Sequence, residues 1–310
     1  MANVSLTING RQVSVPAGST ILDAAAALGV FIPVFCHDPD LPGVASCRIC
    51  VVEVKGSKNL TPSCMTAVKE GMVVETESSA VVEARRTILE LILANHPQDC
   101  LTCEKNGDCR LQDYAFLYGV KGDCFKGKRH SYQVEEDNPY IIRDMNKCIL
   151  CGKCIRTCAQ VEGRSVIDYA FRGFNTKVAP PMNTSLAESD CVYCGRCVAL
   201  CPVGALLYKP LAGKGRVWEI SKRPVTCTFC ESGCLFNLNI KGEKVIGVSA
   251  ATPAPGRPLC LKGRLGVELL YCDDPAAPQL KKGDSFQEVS WAEALGLDGV
   301  LNRINKLNGK

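Results

Sequence analysis

The first 78 residues alternate apolar and polar side chains in a way that predicts a small α+β domain. Asn9 and Gly10 form a strong hairpin signal between two alternating segments. Ser19 or Thr20 can cap a short helix that runs to Leu28. The predicted strands are residues 4–8, 12–15, 51–54 and 73–76. Loops that carry cysteines lie between the later strands.

The rest of the chain mixes helical segments with irregular stretches that carry cysteines. Residues 79–119 are predicted to be helical, with one helix ending near His96 and a second running from Leu111 to Tyr118. Residues 120–140 are polar and predict a linker, in which His130 follows a basic, solvated stretch. The later predicted elements are a hairpin of residues 235–240 and 244–249, and weak helices at residues 291–295 and 299–307.

Cysteine is the part of the composition that points to chemistry. The 310 residues include 21 cysteines, which fall into five groups separated by cysteine-free stretches. No secretory signal pattern is present and no apolar run approaches the ~18 residues of a spanning helix, so we expect a cytoplasmic protein. In a reducing compartment, abundant cysteine indicates metal or redox sites rather than disulfides. A net charge of +4 and few aromatic residues argue against nucleic-acid binding.

The first group of cysteines predicts a [2Fe–2S] cluster. Cys47 and Cys50 form a close pair, which is flanked at a distance by Cys36 and Cys64. Four thiolates can bind such a cluster, with two on each iron. Gly43 and Ala45 would let the loop close tightly over the inorganic sulfides. A zinc site is the alternative, although zinc ribbons usually contain two close pairs.

The second group predicts a [4Fe–4S] cluster with one histidine ligand. His96 precedes Cys100, Cys103 and Cys109 in the spacing H-x₃-C-x₂-C-x₅-C. Three thiolates need a fourth ligand, which His96 can supply, and Cys124 is the competing candidate. Because a neutral imidazole removes one negative charge, we expect this cluster to have a higher reduction potential than an all-cysteine cluster.

The third and fourth groups repeat the spacing C-x₂-C-x₂-C-x₃-C, which is typical of two-cluster ferredoxins. In those proteins the fourth cysteine of each run binds the cluster of the other run. Gly152 and Gly195 allow the backbone to approach each cluster closely. Ala159 follows Cys158 where proline is usual, which weakens the expected turn but not the ligand count. The predicted ligand sets are Cys148, Cys151, Cys154 and Cys201 for one cluster, and Cys191, Cys194, Cys197 and Cys158 for the other.

The last group predicts another [4Fe–4S] cluster, with zinc as the alternative on ligand type alone. Its ligands are Cys227, Cys230, Cys234 and Cys260. Nineteen cysteines and His96 together can hold one [2Fe–2S] and four [4Fe–4S] clusters. Cys124 and Cys272 remain, and isolated cysteines are most often small buried hydrophobic residues.

Patterns for substrate chemistry are absent from the sequence. No strand is followed by a G-x-G-x-x-G fingerprint, and no phosphate-binding loop is present. Three histidines, one of them a predicted ligand, leave little general acid–base machinery. The chain is therefore expected to conduct electrons, and a two-electron donor such as NADH then requires a flavin partner to split the pair.

Taken in order, the cysteine motifs resemble the N-terminal iron–sulfur half of NADH-dehydrogenase-type large subunits, NAD-linked formate dehydrogenase catalytic subunits and [FeFe]-hydrogenase large subunits. The resemblance covers residues 1 to about 295 and is carried by FCHDPDLPGVASCRICVVEV, HPQDCLTCEKNGDC, the paired ferredoxin runs, and CTFCESGC with PLCLKGRLG. The last motif is similar to the iron–sulfur domain of molybdopterin oxidoreductases. In that family a lysine lies between cluster and pterin, and Lys262 matches it, which implies a cofactor-binding residue.

The resemblance implies an α+β, multidomain iron–sulfur protein. The expected domains are a [2Fe–2S] ferredoxin-like (β-grasp) domain at residues 1–78, a helical His-Cys₃ [4Fe–4S] segment at 79–119, a two-cluster bacterial-ferredoxin domain at 138–210, a small β-rich molybdopterin-oxidoreductase-type [4Fe–4S] domain at 217–275, and a C-terminal tail at 276–310. The sequence ends at Lys310 without a molybdopterin or hydrogenase domain, so we expect no catalytic centre on this chain.

The resemblance also implies partners. We expect an electron-transfer subunit of an NAD(P)-linked oxidoreductase complex, of the electron-bifurcating type that occurs in these families. It would relay single electrons between a flavin- and NAD(P)-binding subunit and a soluble ferredoxin, a second flavoprotein, or a hydrogenase or formate dehydrogenase subunit. Two alternatives are a split formate dehydrogenase whose molybdopterin domain is a separate chain, and a zinc-binding scaffold.

Overall fold

The computed structural model describes residues 2–122, 124–251 and 259–307. The chain divides into two compact units. Unit 1 comprises Met1–Cys100, Cys109–Ser131 and Asn146–Lys153, and unit 2 comprises Leu101–Asp108, Tyr132–Met145 and Cys154–Lys310. Among the described helices, none has both the length and the apolar character needed to cross a bilayer.

Strands and helices are interspersed along the chain. The strands are β1 (Asn3–Ile8), β2 (Arg11–Pro16), β3 (Val51–Val54), β4 (Thr61–Pro62), β5 (Val73–Glu75), β6 (Ile141–Arg143), β7 (Asp168–Ala170), β8 (Lys177–Ala179), β9 (Leu206–Tyr208), β10 (Ile220–Thr226), β11 (Leu235–Lys241), β12 (Lys244–Ala250), β13 (Gln279–Lys282) and β14 (Ser285–Glu288). The helices are α1 (Ile21–Ala27), α2 (Ser79–Asn95), α3 (Arg110–Leu117), α4 (Lys153–Arg156), α5 (Arg196–Leu200), α6 (Leu261–Tyr271), α7 (Trp291–Leu295) and α8 (Asp298–Leu307).

Unit 1 is built on a five-stranded sheet in the order β2-β1-β5-β3-β4. β1 and β2 form the predicted antiparallel hairpin, and β1 pairs in parallel with β5. Asn9 (φ 48°) and Gly10 (φ 75°) have the left-handed backbone that a tight hairpin turn requires. Apolar side chains of the sheet and α1 form a core that also contains Cys50 and Cys64. The core of this unit therefore reaches the first group of cysteines.

The predicted start of α1 is confirmed, with Thr20 rather than Ser19 as the cap. Thr20 Oγ1 accepts a hydrogen bond from the Asp23 N–H at 3.2 Å, and Asp23 Oδ2 accepts one from the Thr20 N–H at 2.8 Å. Such reciprocal bonds satisfy donors that the first turn would leave without partners. α2 ends at Asn95, and His96 is already extended (φ −83°, ψ 136°), as predicted from the following proline.

A buried arginine joins α2 to its neighbours in unit 1. The Arg85 side chain is fully buried. Its Nη1 donates to Glu77 Oε1 at 2.6 Å and to Tyr118 Oη at 2.7 Å, and its Nη2 donates to the Val51 carbonyl at 2.9 Å. These bonds tie α2 to the end of α3 and to β3, the strand that follows Cys50. Arg85 therefore supports the loop of the first cysteine group from behind.

Unit 2 contains a three-stranded antiparallel sheet in the order β10-β11-β12. β11 and β12 are the predicted hairpin, which is confirmed. β10 was not predicted; it contains Pro224, which cannot donate to a neighbouring strand and is tolerated because β10 lies at the sheet edge. Phe236 and Leu238 are fully buried in a core that also contains Cys227 and Cys234.

Several short elements of unit 2 also escaped prediction. β6 pairs with β9, β7 with β8, and β13 with β14. Strands of three or four residues carry too little alternation to be recognised, and Ile141 pairs with Tyr208, which is remote in sequence. The helices predicted in the tail are confirmed as α7 and α8.

The predicted linker, residues 120–140, forms no helix or strand among its described residues. The basic stretch at residues 126–129 is exposed, as predicted, and His130 after it is half-buried. Its N–H donates to Asn95 Oδ1 at 2.8 Å, and Arg129 Nε donates to the Ala94 carbonyl at 2.9 Å. Both residues hold this segment against the end of α2, next to His96.

Replacing Arg85 with methionine should destabilise unit 1, because Val51 O and Tyr118 Oη lose their donor. Each buried polar group without a partner costs about 1–3 kcal/mol. Thermal unfolding followed by circular dichroism should show a clearly lower midpoint. Arg11→Met removes an exposed arginine of β2 and is the matched control. Equal midpoints for the two variants would contradict the role assigned to Arg85.

Candidate metal centres

The structure brings the four cysteines of the first group together in unit 1 as two pairs. The sulfur atoms of Cys50 and Cys64 lie 3.3 Å apart. The Cys47 thiol is hydrogen-bonded to Cys36. Cys47 is half-buried and the other three are buried. Two pairs of thiols suit a [2Fe–2S] cluster, in which each iron takes two cysteine ligands.

Hydrogen bonds within these pairs shift the thiol pKa values in opposite directions. The bond to Cys47 lowers the pKa of Cys36 to about 5, and the bond to Cys64 lowers the pKa of Cys50 to about 6. The pKa values of Cys47 and Cys64, which retain the proton, are raised by the same bonds. One cysteine of each pair therefore favours the thiolate, the form that binds iron.

Gly43 allows a close approach within the loop of the first cysteine group. The group that comes close to it is the side chain of Met65. A Cβ added to Gly43 would lie 2.0 Å from Met65 Sδ. Ala45 (φ 49°) and Arg48 (φ 58°) take left-handed backbone in the same loop. Left-handed residues that are not glycine are uncommon and concentrate at functional sites. The loop therefore has a conformation that local preference alone does not favour.

The two ferredoxin-type runs have matching local backbones. Leu150 (φ 54°) and Tyr193 (φ 51°) are left-handed at the same position of each run. The N–H of Leu150 donates to Cys148 Sγ, and the N–H of Tyr193 donates to Cys191 Sγ, each at 3.4 Å. The internal repeat predicted from cysteine spacing is thus a repeat of conformation as well. N–H groups aimed at sulfur are among the contacts that tune cluster potentials.

A cavity in unit 2 gathers one complete predicted ligand set. Its lining includes Cys158, Cys191, Cys194 and Cys197. The N–H of Val166 donates to Cys158 Sγ at 3.4 Å. The cross-ligation that sequence predicts, with Cys158 joining the second run, therefore has a matching geometry.

Burial raises the thiol pKa values around this cavity. The pKa of Cys191 is raised to about 11 and that of Cys194 to about 12, and that of Cys197 is raised well above its ordinary value. A buried thiolate is costly because the protein interior solvates charge poorly. Iron would take the place of the proton and supply the missing positive charge. The donor set therefore fits a bound cluster.

The other ferredoxin-type set draws on both units. Cys151 is buried, whereas Cys148, Cys154 and Cys201 are half-buried. Cys148 and Cys151 belong to unit 1, and Cys154 and Cys201 belong to unit 2. This ligand set stays a prediction from spacing.

The His-Cys₃ set also draws on both units and also stays a prediction. His96 caps the C-terminus of α2, and Cys109 precedes α3. Cys100 is exposed and Cys103 is half-buried. Cys124, the competing ligand, is exposed rather than buried, and its N–H donates to Glu90 Oε2 at 3.4 Å.

The last cysteine group lies around the start of α6 in unit 2. Cys260 caps that helix, and its Sγ accepts a hydrogen bond from the Gly263 N–H at 3.2 Å. A Cβ added to Gly263 would lie 3.2 Å from Cys227 Sγ and 3.3 Å from Cys260 Sγ. Burial raises the pKa of Cys234, and the neighbouring Cys227, Cys260 and Cys230 raise it further. The four predicted ligands therefore share one site, with Gly263 leaving room for the sulfur atoms.

Ion pairs in unit 1 connect successive cysteine motifs. Lys153 Nζ lies 2.8 Å from Asp38 Oδ2, and both side chains are largely buried. Lys147 Nζ lies 2.8 Å from Asp99 Oδ2. Each of these four residues is within two positions of a predicted ligand. The pairs therefore fix the first and second groups relative to the start of the third.

A buried carboxylate plays the same role in unit 2. Glu162 Oε1 lies 2.5 Å from Arg196 Nε, and both side chains are almost fully buried. Glu162 Oε2 accepts a hydrogen bond from the Leu259 N–H at 2.9 Å. Arg196 lies between Cys194 and Cys197 in the sequence, and Leu259 precedes Cys260. Glu162 therefore joins the second ferredoxin run to the last cysteine group.

Lys262 and Cys272 lie near the two ends of α6. A Cβ added to Gly296, the residue that ends α7, would lie 3.1 Å from Lys262 Nζ. Cys272 is half-buried against the core of the last group, and burial raises its pKa to about 12. A packed, protonated Cys272 agrees with its interpretation as a small hydrophobic residue.

The described thiols are not arranged around a single ion. Among the residues that the structure describes, no three His, Cys, Asp or Glu side chains converge as ligands of one metal ion would. In a [4Fe–4S] cluster each cysteine binds a different iron, so its ligands surround a larger volume.

Family models of four iron–sulfur domains match consecutive segments of the chain. The matches are a 2Fe-2S iron-sulfur cluster binding domain at residues 1–79, an NADH-ubiquinone oxidoreductase-G iron-sulfur binding region at 85–123, an NADH-quinone oxidoreductase subunit 3, ferredoxin-like domain at 138–207, and a molybdopterin oxidoreductase Fe4S4 domain at 220–272.

Curated relatives match nearly the whole chain. An NADH-quinone oxidoreductase subunit of Rhizobium meliloti (strain 1021) is 35% identical over 99% of this chain and 36% of its own length. NADP-reducing hydrogenase subunit HndD of Solidesulfovibrio fructosivorans is 40% identical over 92% of this chain and 49% of its own length. The chain therefore spans about a third to a half of the length of these relatives.

A solved structure decides the family. One chain of an NAD⁺-reducing [NiFe]-hydrogenase in the H₂-reduced state is 31% identical, with a TM-score of 0.64, over 70% of this chain and 92% of that chain. This chain belongs to the iron–sulfur subunits of NAD(P)-linked oxidoreductase complexes. The predicted resemblance is thereby confirmed, and so is the interpretation as an electron-transfer subunit.

Membership of this family confirms the coarse architecture. The iron–sulfur subunit is multidomain, mixes helix and sheet, and contains domains of the [2Fe–2S]-binding and [4Fe–4S]-binding kinds. Sequence reasoning missed the ion pairs beside the cysteines. A charged residue next to a predicted ligand is the signal that would have drawn attention to Lys147, Lys153 and Arg196.

Changing Gly263 to alanine should weaken cluster binding by the last cysteine group. The added Cβ would crowd two of the ligand sulfurs, so we expect the loss of up to about four iron atoms per chain. Iron and acid-labile sulfide analysis measures this loss. Gly299→Ala in α8 is the control, since a Cβ there meets nothing within 4 Å. An unchanged iron content in Gly263→Ala would contradict the assigned geometry.

Changing Glu162 to glutamine should destabilise unit 2. The variant keeps an acceptor for Leu259 but no longer neutralises Arg196, and removing one partner of a buried ion pair costs roughly 3–5 kcal/mol. Thermal unfolding of the cluster-loaded protein should show the effect. Glu219→Gln breaks the half-exposed pair with Lys241 and serves as the control, for which little change is expected. Similar behaviour of both variants would show that Glu162 has no special role.

Proposed function

We propose that this iron–sulfur subunit relays single electrons through one [2Fe–2S] and four [4Fe–4S] clusters. The observation that best supports this is in unit 2. Cys194 lines the cavity of its own ligand set and also packs against the core that contains Cys227 and Cys234. Two candidate cluster sites therefore adjoin. Electron tunnelling decays steeply with distance, so neighbouring clusters exchange electrons quickly.

The ligands that we propose are those predicted from the sequence. For the [2Fe–2S] cluster, the observed thiol pairs support Cys36 with Cys47 on one iron and Cys50 with Cys64 on the other. The sheet order of unit 1, with α1, supports a β-grasp fold for the domain that holds it. The ligand set that contains His96 and the one that contains Cys148 are supported by their spacing in the sequence alone. We also propose the five domain segments that the sequence predicts.

The proposed partners follow from the chemistry of the carriers. NAD(P)H gives up two electrons as a hydride, whereas a cluster accepts one, so a flavin-bearing subunit must split the pair. Relatives are named for NADH and NADP, which favours a nicotinamide as the distant donor or acceptor. At the other end we propose a ferredoxin, a second flavoprotein or a hydrogenase subunit, with bifurcation between them, in a cytoplasmic complex.

A second candidate function is suggested by residues 220–272. They match a molybdopterin oxidoreductase Fe4S4 domain, and Lys262 follows Cys260 at the position expected next to a pterin. The chain would then deliver electrons to or from a molybdopterin domain, as in a formate dehydrogenase. Molybdenum or tungsten in the purified complex would favour this candidate.

Metal analysis and electron paramagnetic resonance test the proposed function. In the complex purified without oxygen, each copy of this chain should account for about 18 iron atoms and about as many acid-labile sulfides. NAD(P)H should generate the resonance signals of reduced clusters when the flavin-bearing subunit is present, and dithionite should generate them without it. A colourless protein that contains zinc and gives no signal on reduction would overturn the proposal in favour of a zinc scaffold.

A further inference from the structure

Arg264 in α6 carries a guanidinium with no exposure to solvent. Its Cζ lies 4.5 Å from the centre of the Tyr140 ring and 4.6 Å from the centre of the Tyr208 ring. The Tyr140 hydroxyl donates to the Gln279 carbonyl at 2.8 Å, which fixes that ring. The two aromatic rings therefore hold the charged group in place by cation–π contacts.

The hydrogen bonds of this guanidinium are incomplete. Nη1 donates to the Tyr193 carbonyl at 3.4 Å. Nε and Nη2 are buried and have no hydrogen-bond partner in the described part of the chain. No carboxylate of a described residue forms an ion pair with Arg264. A buried charge without such compensation is costly, and a methionine or leucine of similar size would fill the space without that cost.

The charge of Arg264 persists at neutral pH. Burial lowers its pKa to about 10, which still leaves the guanidinium protonated. Glu268, one turn along α6, is also buried: its negative charge raises the pKa of Arg264, while burial raises the pKa of Glu268 itself. Because no described carboxylate lies within ion-pair distance of the guanidinium, its positive charge is only partly compensated.

The surroundings of Arg264 lead to a predicted cluster site. The carbonyl that it contacts belongs to Tyr193, which lies between Cys191 and Cys194. A Cβ added to Gly195 would lie 2.8 Å from the Tyr208 ring, so that ring also rests on the cysteine loop. The guanidinium thus lies directly behind the loop that supplies three of the four thiols of the unit 2 cavity.

We propose that Arg264 raises the reduction potential of the [4Fe–4S] cluster held by Cys158, Cys191, Cys194 and Cys197. The inference rests on the proposed function, because it requires a cluster at that site. On reduction the cluster accepts one electron from a neighbouring cluster, gains one negative charge, and makes or breaks no bond. A fixed positive charge nearby in a medium of low dielectric constant stabilises the reduced state.

Potentiometric titration of the full chain, monitored by electron paramagnetic resonance, tests this proposal. Arg264→Met removes the charge and should lower the midpoint potential of one cluster, while Arg264→Lys keeps the charge and should restore most of the loss. Cys191→Ser identifies which resonance signal belongs to that cluster. Arg172→Met removes an exposed arginine, whose charge water and salt screen, and should leave the potential unchanged.

The outcomes separate this proposal from the proposed function. Charge tuning by Arg264 is wrong if iron is present and all variants have the same midpoint potential. It is also wrong if Arg264→Lys lowers the midpoint potential as far as Arg264→Met does. In both cases the proposed electron relay still stands. Arg264→Gln, which keeps a donor for the Tyr193 carbonyl, is the second neutral variant. Loss of the cluster itself in both neutral variants would show that Arg264 is a structural residue and would overturn the proposal. Absence of iron from the wild-type chain would instead reject the proposed function.

Discussion

Buried negative charge is the constraint on which this structure depends. Cysteine thiolates are anions that the protein interior solvates poorly, and burial raises the pKa of Cys191 to about 11 and that of Cys194 to about 12. The chain places cations beside its cysteines, as Lys147, Lys153 and Arg196 show. Carboxylates then hold those cations in position. Iron bound by the proposed ligands would supply the rest of the positive charge, which the protein itself does not provide.

The same charged residues organise the packing of the units. In unit 1 the pair of Asp38 and Lys153 connects the first cysteine group to the start of the ferredoxin repeat. In unit 2 Glu162 connects that repeat to the last group through Arg196 and Leu259. Many strand pairings of unit 2 are short ladders, such as β6 with β9, which contribute few backbone hydrogen bonds. Polar cross-links next to the ligands therefore add to the packing that holds the cysteine loops in place.

Much of the regular structure could be predicted from local pattern. The hairpin at Asn9 and Gly10, the cap at Thr20 and the end of α2 before His96 each follow from residues that are neighbours in the sequence. Elements that depend on distant partners could not be predicted. β6 has three residues, and only its pairing with β9 gives it strand geometry. His130 belongs to a basic, polar stretch, yet Asn95 and the end of α2 hold it in place.

Cysteine spacing was enough to predict iron–sulfur ligands and to indicate the family, because spacing along the chain limits which thiols can reach one cluster. The placement of charge around those thiols could be seen in the folded chain alone. Arg264 follows Cys260 by four residues and is unremarkable in the sequence. Packing of α6 against Tyr140 and Tyr208 brings Arg264 behind the loop of Cys191 and Cys194. The electrostatic field at a buried site depends on such long-range contacts and not on local spacing in the sequence.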